Sequence, residues 1–259
     1  MRPFFQVNAF TSELFRGNPA LVVPLDAWLD DTVMQSIAAE NGLTAAFFVG
    51  GNGRYDIRWF APKTEIEGWC GHGTLAAGYV AAEELGDSSD EIVFHAEAGE
   101  ARVRRQDSQY VLDLPALVPA PITLPESNVD VFGTRPTEVL GALDLIAVLP
   151  SARDVTDFVP DNEELADLPL RAVIVTAPDD DADFVSRWFA VKHGEGEDTG
   201  FTGSAHCSLV PYWAERLNKT ELMARQPSPR GATLPCALHG DRVWLTSSAV
   251  KYMQGSLCL

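Results

Sequence analysis

The sequence predicts an α+β fold of two similar halves, each a sheet wrapped around one buried helix. Three observations predict it: an apolar helix that occurs twice, strand-like segments in similar order around each copy, and a proline-rich stretch, Pro115 to Pro125, between the two sets. The first copy runs Cys70-Gly71-His72-Gly73-Thr74-Leu75 and on to Leu85; the second runs Thr202-Gly203-Ser204-Ala205-His206-Cys207 and on to Leu217. They align without a gap, pairing Gly71 with Gly203, Ala82 with Ala214, Glu83 with Glu215 and Leu85 with Leu217. Polar groups occupy the same turn in both copies while the helix bodies stay largely apolar, as in a duplicated unit.

In the first half, Phe4 to Phe10 roughly alternates as a strand does, and Phe15-Arg16-Gly17-Asn18-Pro19 turns the chain into Leu21-Val22-Val23. Asp30 or Asp31 can cap a helix through Met34, Ile37 and Ala38, which are apolar at helical spacing. Phe47 to Val49 and Tyr55 to Phe60 read as a hairpin across Gly50-Gly51-Asn52-Gly53. Strands follow the first repeated helix at Glu91 to His95, Ala101 to Arg104 and Tyr110 to Leu114. The second half is expected to give a strand at Leu145 to Leu149, a capped segment near Asp161 to Leu168, a strand at Ala172 to Thr176 and a helix at Asp183 to Phe189. Ala232 to Leu238 and Arg242 to Leu245 then form a hairpin tipped by His239-Gly240-Asp241, and Ala249 to Tyr252 closes the set. The halves are placed at 1–118 and 119–259, with central helices 71–85 and 203–217.

Nineteen Lys and Arg against 37 Asp and Glu give a formal net charge of -18, which argues against nucleic acid or an anionic membrane as partner. No segment approaches the roughly 18 apolar residues of a membrane span, and Met1-Arg2-Pro3-Phe4-Phe5 lacks a signal-peptide core, so a cytoplasmic protein is expected. Cys70, Cys207, Cys236 and Cys258 are scattered, with no pair at metal-ligand spacing, so reduced thiols and no metal are expected.

A helix start leaves backbone N–H groups unpaired and carries partial positive charge, so it can hold a carboxylate. His72, beside Gly71, can act there as acid, base or cap. Asp198 lies in the acidic run Glu195, Glu197 and Asp198, ordinarily a solvated loop, but stands close to the second start. Thr202 and Ser204 are natural helix caps and can also contact a ligand. Cys70 is either a small buried residue or a thiol whose pKa the helix start lowers. His206 is expected inside the second helix. Trp59, Trp69, Phe201 and Trp213 could line an apolar pocket, although core packing explains most of them.

Taken in order, Asn8-Ala9-Phe10-Thr11, Gly17-Asn18-Pro19-Ala20, Arg58-Trp59-Phe60-Ala61-Pro62, Cys70-Gly71-His72-Gly73-Thr74, and Glu197-Asp198 followed by Thr202-Gly203-Ser204-Ala205-His206-Cys207 resemble the PhzF-like family of phenazine biosynthesis, within the diaminopimelate epimerase-like fold, nearly end to end. The resemblance implies two pseudo-symmetric halves, each a curved or barrel-like β-sheet around a central helix, with the active site between them, in a homodimer. It implies cofactor-free proton transfer on a small-molecule carboxylate in biosynthesis or secondary metabolism. Carried over by position, the catalytic roles fall on His72, Asp198 and Ser204, with Cys70, Gly71, Gly73, Thr202 and Gly203 binding substrate.

One family residue does not carry over. The glutamate that shuttles the proton falls on Ala45, and a methyl group cannot do so. The links before both helix starts, Glu65 to Trp69 and Glu197 to Phe201, are each one residue longer than the family pattern, so Thr199 competes with Asp198 for the ligand-facing place and Glu67 becomes a substitute carboxylate. The function expected is an isomerase-like enzyme with altered chemistry. The alternatives are a catalytically silent binding protein, a cyclase, or a Cys70-dependent racemase. Against the last, related amino-acid epimerases use a cysteine pair, and Thr202 falls opposite Cys70.

Overall fold

The structure is a computed structural model that describes residues 1–125, 128–190 and 196–259, and Glu195 therefore lies outside the described residues. Two compact units emerge: Met1–Pro115 with Trp244–Leu259, and Ala116–Val243.

In the first unit, β1 (Arg2–Ala9), β2 (Asn18–Leu25), α1 (Asp31–Asn41), β3 (Ala45–Gly51) and β4 (Arg54–Phe60) lead to the central helix α2 (Gly71–Tyr79). The strands β5 (Glu91–Ala96), β6 (Gly99–Gln106) and β7 (Gln109–Pro115) follow, and β17 (Ala249–Leu257) returns from the end of the chain to lie antiparallel on β1. That pairing draws the last strand into the first unit, whereas the sequence had placed it in the second half. Pairing runs antiparallel β1/β2, parallel β2/β3, antiparallel β3/β4, parallel β4/β5 and antiparallel β5/β6 and β6/β7. α2 touches β1, β2, β3, β6, β7 and β17, so the sheet curls around it. A helix apolar on all sides has no face to give to solvent, and Gly71, Gly73 and the run Thr74 to Gly78 are all buried. At Gly78 the absent side chain matters, because a Cβ there would lie 2.6 Å from Val103 on β6. The helix does not stay α to Leu85. It widens into a π-helical stretch, Val80–Glu84, with Leu85 N–H donating to the Val80 carbonyl.

α1 starts after Asp30 as expected and buries Met34, Ile37 and Ala38. Gly42 ends it in the left-handed conformation, φ 62°. Under it lies a cluster that includes Leu21, Met34, Phe47, Phe60 and Ala45.

The second unit repeats this connectivity. Its strands are β8 (Ala120–Pro121), β9 (Glu138–Gly141), β10 (Leu145–Val148), β11 (Val173–Pro178), β12 (Phe184–Ala190), β13 (Gly196–Glu197), β14 (Glu221–Gln226) and β15 (Ala232–His239), and the unit boundary falls within β16 (Arg242–Ser247). Two short helices, α3 (Ala152–Asp157) and α4 (Asn162–Ala166), separate β10 from β11, and α5 (His206–Leu217) is the central helix. Pairing runs antiparallel β9/β10, parallel β10/β11, antiparallel β11/β12, parallel β12/β14 and antiparallel β14/β15, the same alternation as β1 to β6. Asp161 caps α4, accepting from the N–H groups of Glu163 and Glu164.

Two expectations are corrected here. Asp183 to Phe189 is not a helix: Phe184–Ala190 is a strand whose β-branched and aromatic residues are held between β11 and β14. The second central helix also starts late, with a 3₁₀ turn over Gly203–Ala205 before regular α-helix from His206. The strand shows that the duplication reaches further than the helices. Arg187-Trp188-Phe189 on β12 repeats Arg58-Trp59-Phe60 on β4. Arg58 makes a two-pronged bond to Glu65 at 2.8 and 2.9 Å, and Arg187 makes one to Glu197 at 2.8 and 2.8 Å. Each guanidinium also lies over its own phenylalanine, at 5.2 Å for Phe60 and 5.1 Å for Phe189.

Candidate active-site elements

At the start of α2, Cys70 is the N-cap residue, but its side chain makes no capping bond and the first turn holds no acidic residue. The orphan N–H groups of this helix start therefore gain no carboxylate from the helix's own first turn. Cys70 is buried, its carbonyl accepting from the Thr74 N–H at 2.9 Å and the Thr74 hydroxyl at 2.7 Å, which fixes the turn. His72 is half-buried, with Nδ1 3.7 Å from Cys70 Sγ. The thiol and the imidazole thus lie side by side at the helix start.

Gly73 lets Trp59 and the Cys70 thiol pack directly against this turn. A Cβ there would stand 2.8 Å from Trp59 Cδ1 and 3.0 Å from Cys70 Sγ. The lengthened link ahead of the helix folds back on β4, with Ile66 N–H donating to the Trp59 carbonyl at 2.8 Å, and it brings Trp69 to 6.2 Å from Trp59.

Ala45 opens β3 fully buried, in register with Leu21 on β2 and Phe60 on β4. It packs within the apolar cluster beneath α1. Glu67 is exposed on a cavity of about 730 Å³ lined by Trp28, Arg58, Glu65 and His95 among others, and neither Cys70 nor His72 lines that cavity.

At the second helix start, Asp198 faces the helix turn. Its Oδ1 accepts from the Gly200 N–H at 3.0 Å and its Oδ2 from the Thr202 hydroxyl at 2.7 Å, while Thr199 is exposed. Gln226 on β14 completes the arrangement from beneath. Its Oε1 accepts from the Thr202 N–H at 2.8 Å, and its Nε2 donates to the Gly200 carbonyl at 2.7 Å and the Thr202 hydroxyl at 3.1 Å. Gln226 is absent from the sequence-level candidates because β14 itself was not recognised; its one signal is a lone glutamine ending an apolar alternation. Ser204 and Gly203 are buried in the 3₁₀ turn. Thr202, spent on Asp198 and on a main-chain bond to Gln226, supplies no thiol, so the cysteine pair of an amino-acid epimerase is not formed at these two positions.

His206 is fully buried at the first position of α5. Its Nδ1 lies 2.9 Å from the Thr202 carbonyl, and its ring stacks on Phe201 at 4.2 Å. Burial pushes its pKa down to about 4, with the bond to Thr202 opposing. The ring is therefore neutral in the folded chain at pH 7, and Nδ1–H donates to the carbonyl. The unfolded imidazole binds protons already near pH 6.5. Stability present above pH 6.5 is thus lost as pH falls toward 4, by up to about 3 kcal/mol. Chemical denaturation at pH 7 and pH 4.5 is expected to show this slope, and His206→Phe to flatten it. Burial also pushes the thiols of Cys207 and Cys236 up to about 12, so neither serves as a nucleophile near neutral pH. Phe201, Trp69 and Trp213 are core residues, Trp213 Nε1 donating to Thr176 Oγ1 at 3.1 Å.

Among the described residues no cluster of three or more His, Cys, Asp or Glu is arranged to hold a metal ion, and no helix is long and apolar enough to cross a membrane.

Comparison with known proteins agrees with this reading of the fold. A family model described as phenazine biosynthesis-like protein, PhzC-PhzF, matches residues 7–255. An uncharacterized isomerase of Pseudomonas aeruginosa is 44% identical over 256 residues, 98% of each chain. The crystal structure of a PhzF-family phenazine biosynthesis protein from Enterococcus faecalis superposes with a TM-score of 0.90 at 39% identity, covering 100% of this chain and 99% of that one. A hydroxyproline epimerase from Agrobacterium vitis, 12% identical with a TM-score of 0.62 over 98% and 91% of the two chains, shares the fold alone. The chain therefore belongs to the phenazine biosynthesis-like PhzF family, as an isomerase-like member with the α+β, epimerase-like fold.

Proposed function

We propose that this chain is a cofactor-independent isomerase that moves a proton on a small unsaturated or cyclic carboxylate, by chemistry altered from that of relatives that carry the glutamate. The observation that carries the reading is the start of α2, a buried helix end whose N-cap residue makes no side-chain cap, with an imidazole one residue inside it. The amides around Gly71 and Gly73 hold the carboxylate, beside Cys70, and His72 is the acid/base. At the second start, Ser204 and the Thr202-Gly203 turn contribute polar contacts to the substrate, and Asp198 orients them through the Thr202 hydroxyl. Proton transfer by a positioned side chain contributes about 10²–10⁴-fold, so losing the carboxylate at position 45 alters the step it served. The working form is a homodimer, which sedimentation checks.

The test is incubation with a dihydro-hydroxyanthranilate-type carboxylate in heavy water. Deuterium is expected to enter carbon at about a hundredth or less of the rate of a glutamate-bearing relative. An equal rate would show that Ala45 is no handicap and overturn the altered chemistry.

A further inference from the structure

The indole of Trp59 offers a buried hydrogen-bond donor to which the family resemblance gives no role. Trp59 is 2% exposed, and its Nε1–H meets no acceptor among the described residues. A buried donor without an acceptor is costly, and native chains rarely keep one without a use for it. Its place in the fold is specific: a Cβ on Gly73, in the first turn of α2, would lie 3.3 Å from Nε1. The unsatisfied donor therefore stands at the same helix start whose N-cap residue makes no side-chain cap.

The duplicated half supplies an internal comparison. Trp188 on β12 is the counterpart of Trp59 within the repeated Arg-Trp-Phe, and its Nε1 donates to the carboxylate of Asp144 at 3.0 Å. In the second unit the chain provides a carboxylate for this indole. In the first, no acceptor stands there among the described residues.

We infer that Trp59 is a substrate-binding residue whose Nε1–H donates to a carboxylate oxygen of the ligand held at the start of α2, so that the ligand occupies for Trp59 the part that Asp144 plays for Trp188. The absence of a side chain at Gly73 lets the indole lie directly against the first turn of α2, which places its Nε1–H beside the helix amides. The inference rests on the proposed carboxylate site at α2. It adds a selection rule: the preferred ligands are small planar carboxylates, whose two oxygens can be shared between amide and indole donors, over monodentate anions such as chloride.

Trp59→Phe keeps an aromatic ring against Trp69 and removes the N–H; benzothienylalanine at position 59 removes it with the ring size unchanged and serves should the phenylalanine variant fail to fold. Benzoate binding is measured by calorimetry on the full chain, and the six tryptophan indoles are followed by ¹⁵N spectra. The expected result is benzoate affinity lower by about tenfold in the variant, as for one hydrogen bond to a charged group, with melting temperature unchanged in the benzothienyl form. The Trp59 resonance, identified by its disappearance, should move downfield on benzoate addition. Wild-type affinity in the variant, or an unmoved Trp59 resonance while benzoate binds, overturns the inference. If Gly73→Ala still abolishes binding in that case, the α2 site stands without Trp59. Absence of benzoate binding by the unmodified chain overturns the site and the inference together.

Discussion

His72→Asn is expected to lower turnover of a carboxylate substrate by about 10²–10⁴-fold, the contribution of a positioned acid/base, while leaving the fold intact. His72 is half-buried and lies beside the helix start, outside the packed body of α2, whose buried residues are Gly71, Gly73 and the run that follows. Asparagine keeps hydrogen-bonding capacity near Cys70 Sγ and cannot carry a proton across physiological pH. The loss should therefore fall on kcat, with KM for the carboxylate little changed, because the anion is held by main-chain amides. Steady-state kinetics with a thermal melt checks this. Undiminished turnover would overturn the role given to His72, and undiminished biological activity in the variant would favour a catalytically silent binding protein.

The largest expected effect on stability is at Gln226. Gln226→Leu keeps the side-chain size and strips the partners from two buried main-chain groups, the Thr202 N–H and the Gly200 carbonyl. Each such group left unpaired costs about 1–3 kcal/mol, so a loss of about 2–4 kcal/mol follows, roughly a 10 °C fall in Tm for a chain of this size. The change should also reduce activity, since Gln226 and Asp198 together hold the turn that carries Gly203 and Ser204. Gln226→Glu, which keeps an acceptor for Thr202 but loses the donor to Gly200, should fall between. An unchanged melting temperature in Gln226→Leu would show that the turn does not depend on this residue.

Much of the first unit was legible because its strands alternate cleanly and its turns carry glycine where φ is positive, as at Gly50, Gly53 and Gly42. The second unit was harder for physical reasons. In Phe184–Ala190, apolar residues at Phe184, Val185, Trp188 and Phe189 fit one face of a helix as well as a strand covered on both sides; pairing with β11 and β14, invisible locally, decides. The repeated Arg-Trp-Phe was the available signal, since its first copy reads as strand. Among site residues, Cys70, Gly71, His72 and Gly73 follow from the physics of a helix start. The partners that give the second start its shape did not: Gln226 comes from a strand and lies 24 residues beyond Thr202, and Asp198 was legible as an acidic residue but not as the acceptor of the Thr202 hydroxyl. The unsatisfied indole of Trp59 is a property of packing and has no sequence signature at all.

The central claim is that the start of α2 is a carboxylate site. A crystal structure of the chain with benzoate or anthranilate bound tests it most directly: a carboxylate oxygen is predicted within about 3.5 Å of the main-chain nitrogens of the Gly71 to Gly73 turn, the outer range of a direct polar contact. A ligand bound elsewhere, with that turn untouched, would contradict it.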